Sequence, residues 1–92
     1  MNTENQLFNL SMICQRNLEN NKFSNYVYFA VSRHIRTGRA TRDFEKRFNS
    51  LQPDQLENLM NYCLDAGLSD DEIMKRCKTF LSKSIDKRLN TW

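Results

Sequence analysis

Residues 23–38 read FSNYVYFAVSRHIRTG, and the fold class turns on whether this stretch is a strand or a helix. Its centre, NYVYFAV, is β-branched and aromatic, a composition suited to a pleated, half-buried surface. Its ends argue the other way. Ser24 can cap a helix amino terminus, Phe23 and Tyr28 have the spacing of a hydrophobic staple, and Gly38 supplies the left-handed residue on which helices end. Between these signals Val27, Ala30, Val31, His34 and Ile35 recur at i, i+3, i+4, i+7 and i+8, which is one face of a 3.6-residue repeat and not an alternation of period two. The stretch is expected to be a helix, and since no other segment has strand character the chain is expected to be all-α.

Upstream, Thr3 can cap a helix running to about Glu19, with Leu7, Leu10, Cys14 and Leu18 on its inner stripe and Phe8 and Met12 widening it. The polar run ENNK, residues 19–22, offers no face to bury and should end it. Downstream, Thr41 caps a short helix whose Phe44, Phe48 and Leu51 share a side. Pro53 fits the first turn of the next helix, Asp54 favours the positive end of its dipole, and Gly67 is the expected stop. Its buried stripe is Leu56, Leu59, Met60 and Cys63. Ser69 and Glu72 have the spacing of a capping box, with Asp70 and Asp71 in the same first turn. Ile73, Cys77, Phe80, Leu81 and Ile85 then face inward, and Leu89 and Trp92 extend that stripe. The expectation is a single compact bundle of about five short helices over residues 1–92, orthogonal or up-and-down.

Composition narrows the function classes. Ninety-two residues with 39% apolar content and a mean hydropathy of −0.74 make a thin core, one that gains from burial against a partner. The net charge of +3 steers a polyanion only weakly, so any nucleic-acid binding must rest on a local patch. No run of about 18 apolar residues is present and the amino terminus lacks a basic segment followed by an apolar one, so no membrane contact is expected and the location is read as cytoplasmic. Cys14, Cys63 and Cys77 are odd in number and widely spaced, unlike a disulfide framework or a zinc site, and are read as reduced, buried thiols. His34 is the only histidine. With no second imidazole, no phosphate-cradling glycine loop and acids gathered at helix starts, the reading is a non-enzyme without catalytic, cofactor-binding or metal-binding residues.

The remaining signal is basic. Residues 33–47, RHIRTGRATRDFEKR, hold six Arg or Lys against two acids. At about 100° per residue Tyr26, Phe29, Arg33 and Arg36 form one stripe turned away from the Val27/Ala30/Val31 face. Beyond Gly38, Asp43 with Arg47 and Arg42 with Glu45 are spaced to pair, leaving Arg33, Arg36 and Arg39 uncompensated beside Lys46. Arginine among exposed aromatics suits the anchors of a protein interface, or phosphate contacts and base stacking in single-stranded nucleic acid.

A second basic ridge, Arg76, Lys83 and Lys87, reads as a solvated helix face with Glu72 pairing Arg76. The segment NYCLDAGLSDDEIMKRC, residues 61–77, has the outline of a helix-turn-helix, with Gly67 in the turn and Leu68 and Ile73 apolar. Against that, Arg76 stands where an apolar residue belongs, and three carboxylates occupy the turn that would face phosphates. The sequence is therefore read as a small regulatory or inhibitory protein binding a protein partner through Tyr26, Phe29, Arg33, Arg36 and Arg39. The alternative is a DNA- or RNA-binding regulator using the same patch. Phe29, Met12 and Trp92 further suggest a homodimer.

Overall fold

In the computed structural model, which describes residues 3–65 and 67–90 and the backbone alone for 83–90, the chain forms α1 (Thr3–Asn17), α2 (Ser24–Arg36), α3 (Arg42–Asn49), α4 (Pro53–Cys63) and α5 (Asp70–Asn90). Among the described residues there is no strand.

The decisive segment is helical, and its end is the expected one. Gly38 has φ of 75°, its N–H donates to the Ile35 carbonyl at 3.2 Å, and the N–H of Arg39 donates to the His34 carbonyl at 2.9 Å. These two bonds are the paired closure of a Schellman motif. The start differs. Ser24 is the first helical residue and is buried, its hydroxyl donating to the Asn21 carbonyl at 2.9 Å. Asn21 organises the entry instead, its side-chain oxygen accepting from the N–H of Phe23 at 3.0 Å. The Phe23 ring meets Tyr26 at 5.8 Å, so the staple expected with Tyr28 gives way to a contact within the first turn.

α1 stops at Asn17, two residues before Glu19, because the Asn17 amide turns back to the Ile13 carbonyl at 2.8 Å. Leu7, Leu10 and Cys14 are buried as expected. Phe8 and Met12 do not widen that stripe: both are exposed, and Gln6 and Ile13 are buried in their place. The reason is angular. Taking about 100° per residue, Gln6 and Ile13 lie within about 60° of Leu10, whereas Phe8 and Met12 are each about 160° from it.

Gln6, 2% exposed, donates through one amide nitrogen to the carbonyls of Phe48 and Leu51, both at 2.9 Å. A polar side chain is thereby kept in the core by two carbonyls at and just beyond the end of α3, of which that of Phe48 also accepts from the N–H of Leu51 at 3.2 Å. Thr41 caps α3 as expected, accepting from the N–H of Phe44 at 3.1 Å. At α4 Pro53 is the first helical residue, and the Gln55 side chain reaches back across it to accept from the N–H of Gln52 at 2.9 Å. α4 ends at Cys63 with Leu64 extended, so Gly67, with φ of 79°, turns the connection to α5 and does not stop α4. Ser69 accepts from the N–H of Glu72 at 3.3 Å, opening α5.

The core joins all five helices through Leu7, Leu10, Val31, Phe48, Leu59, Met60, Ile73 and their neighbours. α1 and α2 run antiparallel, since Glu4 meets Arg36 and Cys14 meets the backbone of Tyr28. α1 and α4 run in the same sense, with Gln6 at Leu51 and Arg16 at Glu57. α5 packs against α2, α3 and α4. The side chains of Ile85 and Leu89, and Trp92 altogether, lie outside the described residues.

Candidate interaction surface

The inward face of α2 is fixed by Val27, Ala30 and Val31, which places Tyr26, Phe29, Arg33 and Arg36 on the outside. Tyr26 is 50% and Phe29 46% exposed. The structure brings these four residues onto one surface but changes their electrostatics. Arg33 pairs with Asp70 at the start of α5, and Arg36 pairs with Glu4 at the start of α1, 3.5 Å away. Neither is uncompensated as their sequence neighbours suggest, because both partners come from distant helices.

His34 follows the same pattern on the buried side. Its Nδ1 donates to the Ala30 carbonyl at 3.0 Å, and its Nε2 faces the Asp71 carboxylate at 3.2 Å. The first turn of α5 is thus turned toward α2, where Asp70 pairs with Arg33 and Asp71 lies against the His34 ring. In a helix-turn-helix that turn would be presented to a groove.

The free positive charge sits at the corner between α2 and α3. Arg39, directly after Gly38, is exposed and among the described residues enters no ion pair. Asp43 pairs with Arg47 at 3.2 Å as expected. Arg42 and Glu45 do not close the pair expected of them, which leaves Arg42 and Lys46, one helical turn apart, beside Arg39. On α5, Arg76 reaches across to Asp65 at 3.3 Å while Glu72 accepts from the Ser69 hydroxyl at 3.2 Å, so the expected Glu72–Arg76 pair is absent. The Lys83 and Lys87 side chains of that ridge lie outside the described residues.

A larger apolar component joins the patch from α1. Phe8, one turn after Glu4, is 64% exposed and Met12, another turn on, 45%. Glu4 bridges to Arg36 across the seam of the antiparallel α1 and α2, and Phe8, one turn along α1 from Glu4, and Phe29, two turns along α2 from Arg36, are the exposed aromatic residues of the two helices so joined. Met12 continues the apolar component to a shallow groove of about 340 Å³ lined by Gln6, Ile13, Arg16, Leu51 and Leu56. The apolar character of Phe8 and Met12 beside the Leu7/Leu10 stripe suggests the core, and their angular distance from Leu10 is the signal that they belong to the surface.

All three cysteines are free and buried. Burial pushes the Cys14 thiol up to about 11, with the Tyr28 backbone acting in the opposite direction. Cys63 and Cys77 stand with their sulfurs 3.3 Å apart. Among the described residues no group of His, Cys, Asp and Glu side chains is arranged to hold a metal ion, and no helix is long and apolar enough to cross a membrane. Comparison with known proteins returns no matching family model, curated protein or solved structure, so the functional reading rests on the geometry of this surface.

Proposed function

We propose that this chain is a small non-enzymatic regulatory or inhibitory protein that binds a protein partner through the α1–α2 surface, with Phe29, Tyr26 and Phe8 as anchors and Arg33, Arg36 and Arg39 around them. The observation carrying this reading is the coexistence of three exposed aromatic side chains with two arginines already neutralised by Asp70 and Glu4. Aromatic residues and arginine are the types enriched in interface cores, and a surface of balanced charge suits a protein better than a polyanion. An exposed pair such as Arg36–Glu4 is worth about 0–1 kcal/mol to the fold, so either arginine can exchange its carboxylate for one on a partner at small cost.

A second reading is favoured by one specific feature, the Arg39, Arg42 and Lys46 side chains at the α2–α3 corner, which enter no ion pair among the described residues and suit the phosphates of DNA or RNA. Affinity capture from the native host with the wild-type chain and with Tyr26→Ser/Phe29→Ser, the eluates analysed for protein and nucleic acid together, separates the two. The protein reading expects a protein lost from the variant eluate at unchanged helical circular dichroism, with modest salt sensitivity. Recovery of nucleic acid that is released steeply by moderate salt, and that is lost with Arg39→Ala/Arg42→Ala instead, would replace it with the second reading.

A further inference from the structure

The geometry points to Cys63 and Cys77 as an oxidative modification site, a buried thiol pair that forms an intramolecular disulfide stapling the end of α4 to the middle of α5. The two sulfurs lie 3.3 Å apart and are separated by 14 positions in sequence. A disulfide needs about 2.05 Å between sulfurs, so closure requires an approach of roughly 1.3 Å, which small rotations of the two side chains can share. Packing already holds the pair in register: the Tyr62 ring beside Cys63 meets that of Phe80 in a tilted contact at 5.7 Å, and Arg76 beside Cys77 reaches Asp65 at 3.3 Å. Cys14 lies on α1 against the Tyr28 backbone, which makes the Cys63–Cys77 pairing specific.

The closed form is protected. Both thiols are essentially inaccessible, and the Cys77 thiol is pushed well above its ordinary value by its hydrogen bond with Cys63 and by burial. Attack needs a thiolate and access to the oxidant, so oxidation proceeds through an opening of α5 away from α4 and is slow in the native state. With hydrogen peroxide as oxidant, one cysteine sulfur attacks the peroxide bond, giving a sulfenic acid and one water. The second sulfur then displaces the hydroxyl from that sulfenic acid, forming the S–S bond and releasing a second water. Two thiols lose two electrons in all, peroxide gains them, and both thiol protons end in water. Asp70 and Asp71 lie inside the bridged loop, so the staple also restrains the carboxylate that pairs with Arg33 and the one that faces the His34 ring.

The test uses the full wild-type chain, treated with hydrogen peroxide at neutral pH, both in buffer and in urea concentrations that open but do not fully unfold it, then returned to buffer. The expected product has lost two hydrogens by intact mass, shows a Cys63–Cys77 linked peptide with Cys14 unmodified, and keeps its far-UV helical signal. Its melting temperature should rise by roughly 5–15 °C and return to the starting value on treatment with a dithiol reductant. Oxidation should be faster in the urea arm. A Cys14→Ala variant should form the same bridge. Linkage through Cys14, intermolecular dimers or sulfinic acids in place of the bridge, three free thiols after the urea arm, or a bridged product that melts below the reduced one would each overturn the assignment.

Discussion

Gln6 and Cys14 lie just over two turns apart on α1 and are both buried, yet they bear on stability differently. Gln6 satisfies two carbonyls at the end of α3 with a single amide nitrogen. Gln6→Ala removes both bonds; the Phe48 carbonyl keeps the N–H of Leu51, whereas the Leu51 carbonyl loses the Gln6 amide, and the unfolding free energy is expected to fall by about 1–3 kcal/mol, measured by urea denaturation. Cys14 contributes through its proton. Its thiol is raised from 9.0 to about 11, so through that window the folded chain keeps a proton that the unfolded chain releases. The folded state then binds more protons, and stability falls as pH rises. The contribution is complete below the unfolded value and is lost on rising through the folded one, amounting to about 2–3 kcal/mol over the window. Cys14→Ala should remove that part of the alkaline decline, seen as a shallower fall of the urea midpoint between roughly pH 9 and 11. The wild-type slope persisting in the variant would assign the decline to other groups.

At the scale of the element, helix ends were legible where a signal acts within three or four residues. Thr41, Ser69 and Gly38 perform the roles their spacing implies. Ser24 and Gly67 do not, because a nearby residue supplies a competing arrangement: Asn21 in front of α2, and an extended Leu64 behind α4. Gly38 gives the clean test of such an end. A methyl group added there meets nothing within 4 Å, so the cost of Gly38→Ala is that of the left-handed backbone alone, about 1–2 kcal/mol. Thermal melting should show a matching decrease with no change in helical content at low temperature. A much larger loss would indicate that the α2–α3 turn carries packing not visible around this position.

For the whole molecule, a core of modest size places heavy weight on its largest members. Phe48 is fully buried, its ring lies near-parallel to that of Phe44 at 6.2 Å, and its carbonyl takes the Gln6 amide. Phe48→Ala is expected to cost about 3–5 kcal/mol, a large share of the roughly 5–15 kcal/mol available to a domain of this kind. Circular dichroism should show a chain that melts near or below ambient temperature. Retention of the wild-type melting temperature would mean that the helices hold together by contacts other than this core.

The all-α class, the positions of the helices and most of the buried stripe are legible in the amino-acid sequence, because each depends on spacings and caps of a few residues. Even the exposure of Phe8 and Met12 follows from their angle to Leu10, although two apolar residues beside an apolar stripe invite assignment to the core. Which acid meets which base emerges with the packing of the helices: Asp70 pairs with Arg33 and Glu4 with Arg36, across 37 and 32 positions. That packing also places Gln6 beneath α3 and brings Cys63 to Cys77. The physical reason is the same in each case: an ion pair, a buried hydrogen bond or a thiol contact between helices is fixed by how those helices pack, and periodicity within one helix carries no record of its neighbour's register.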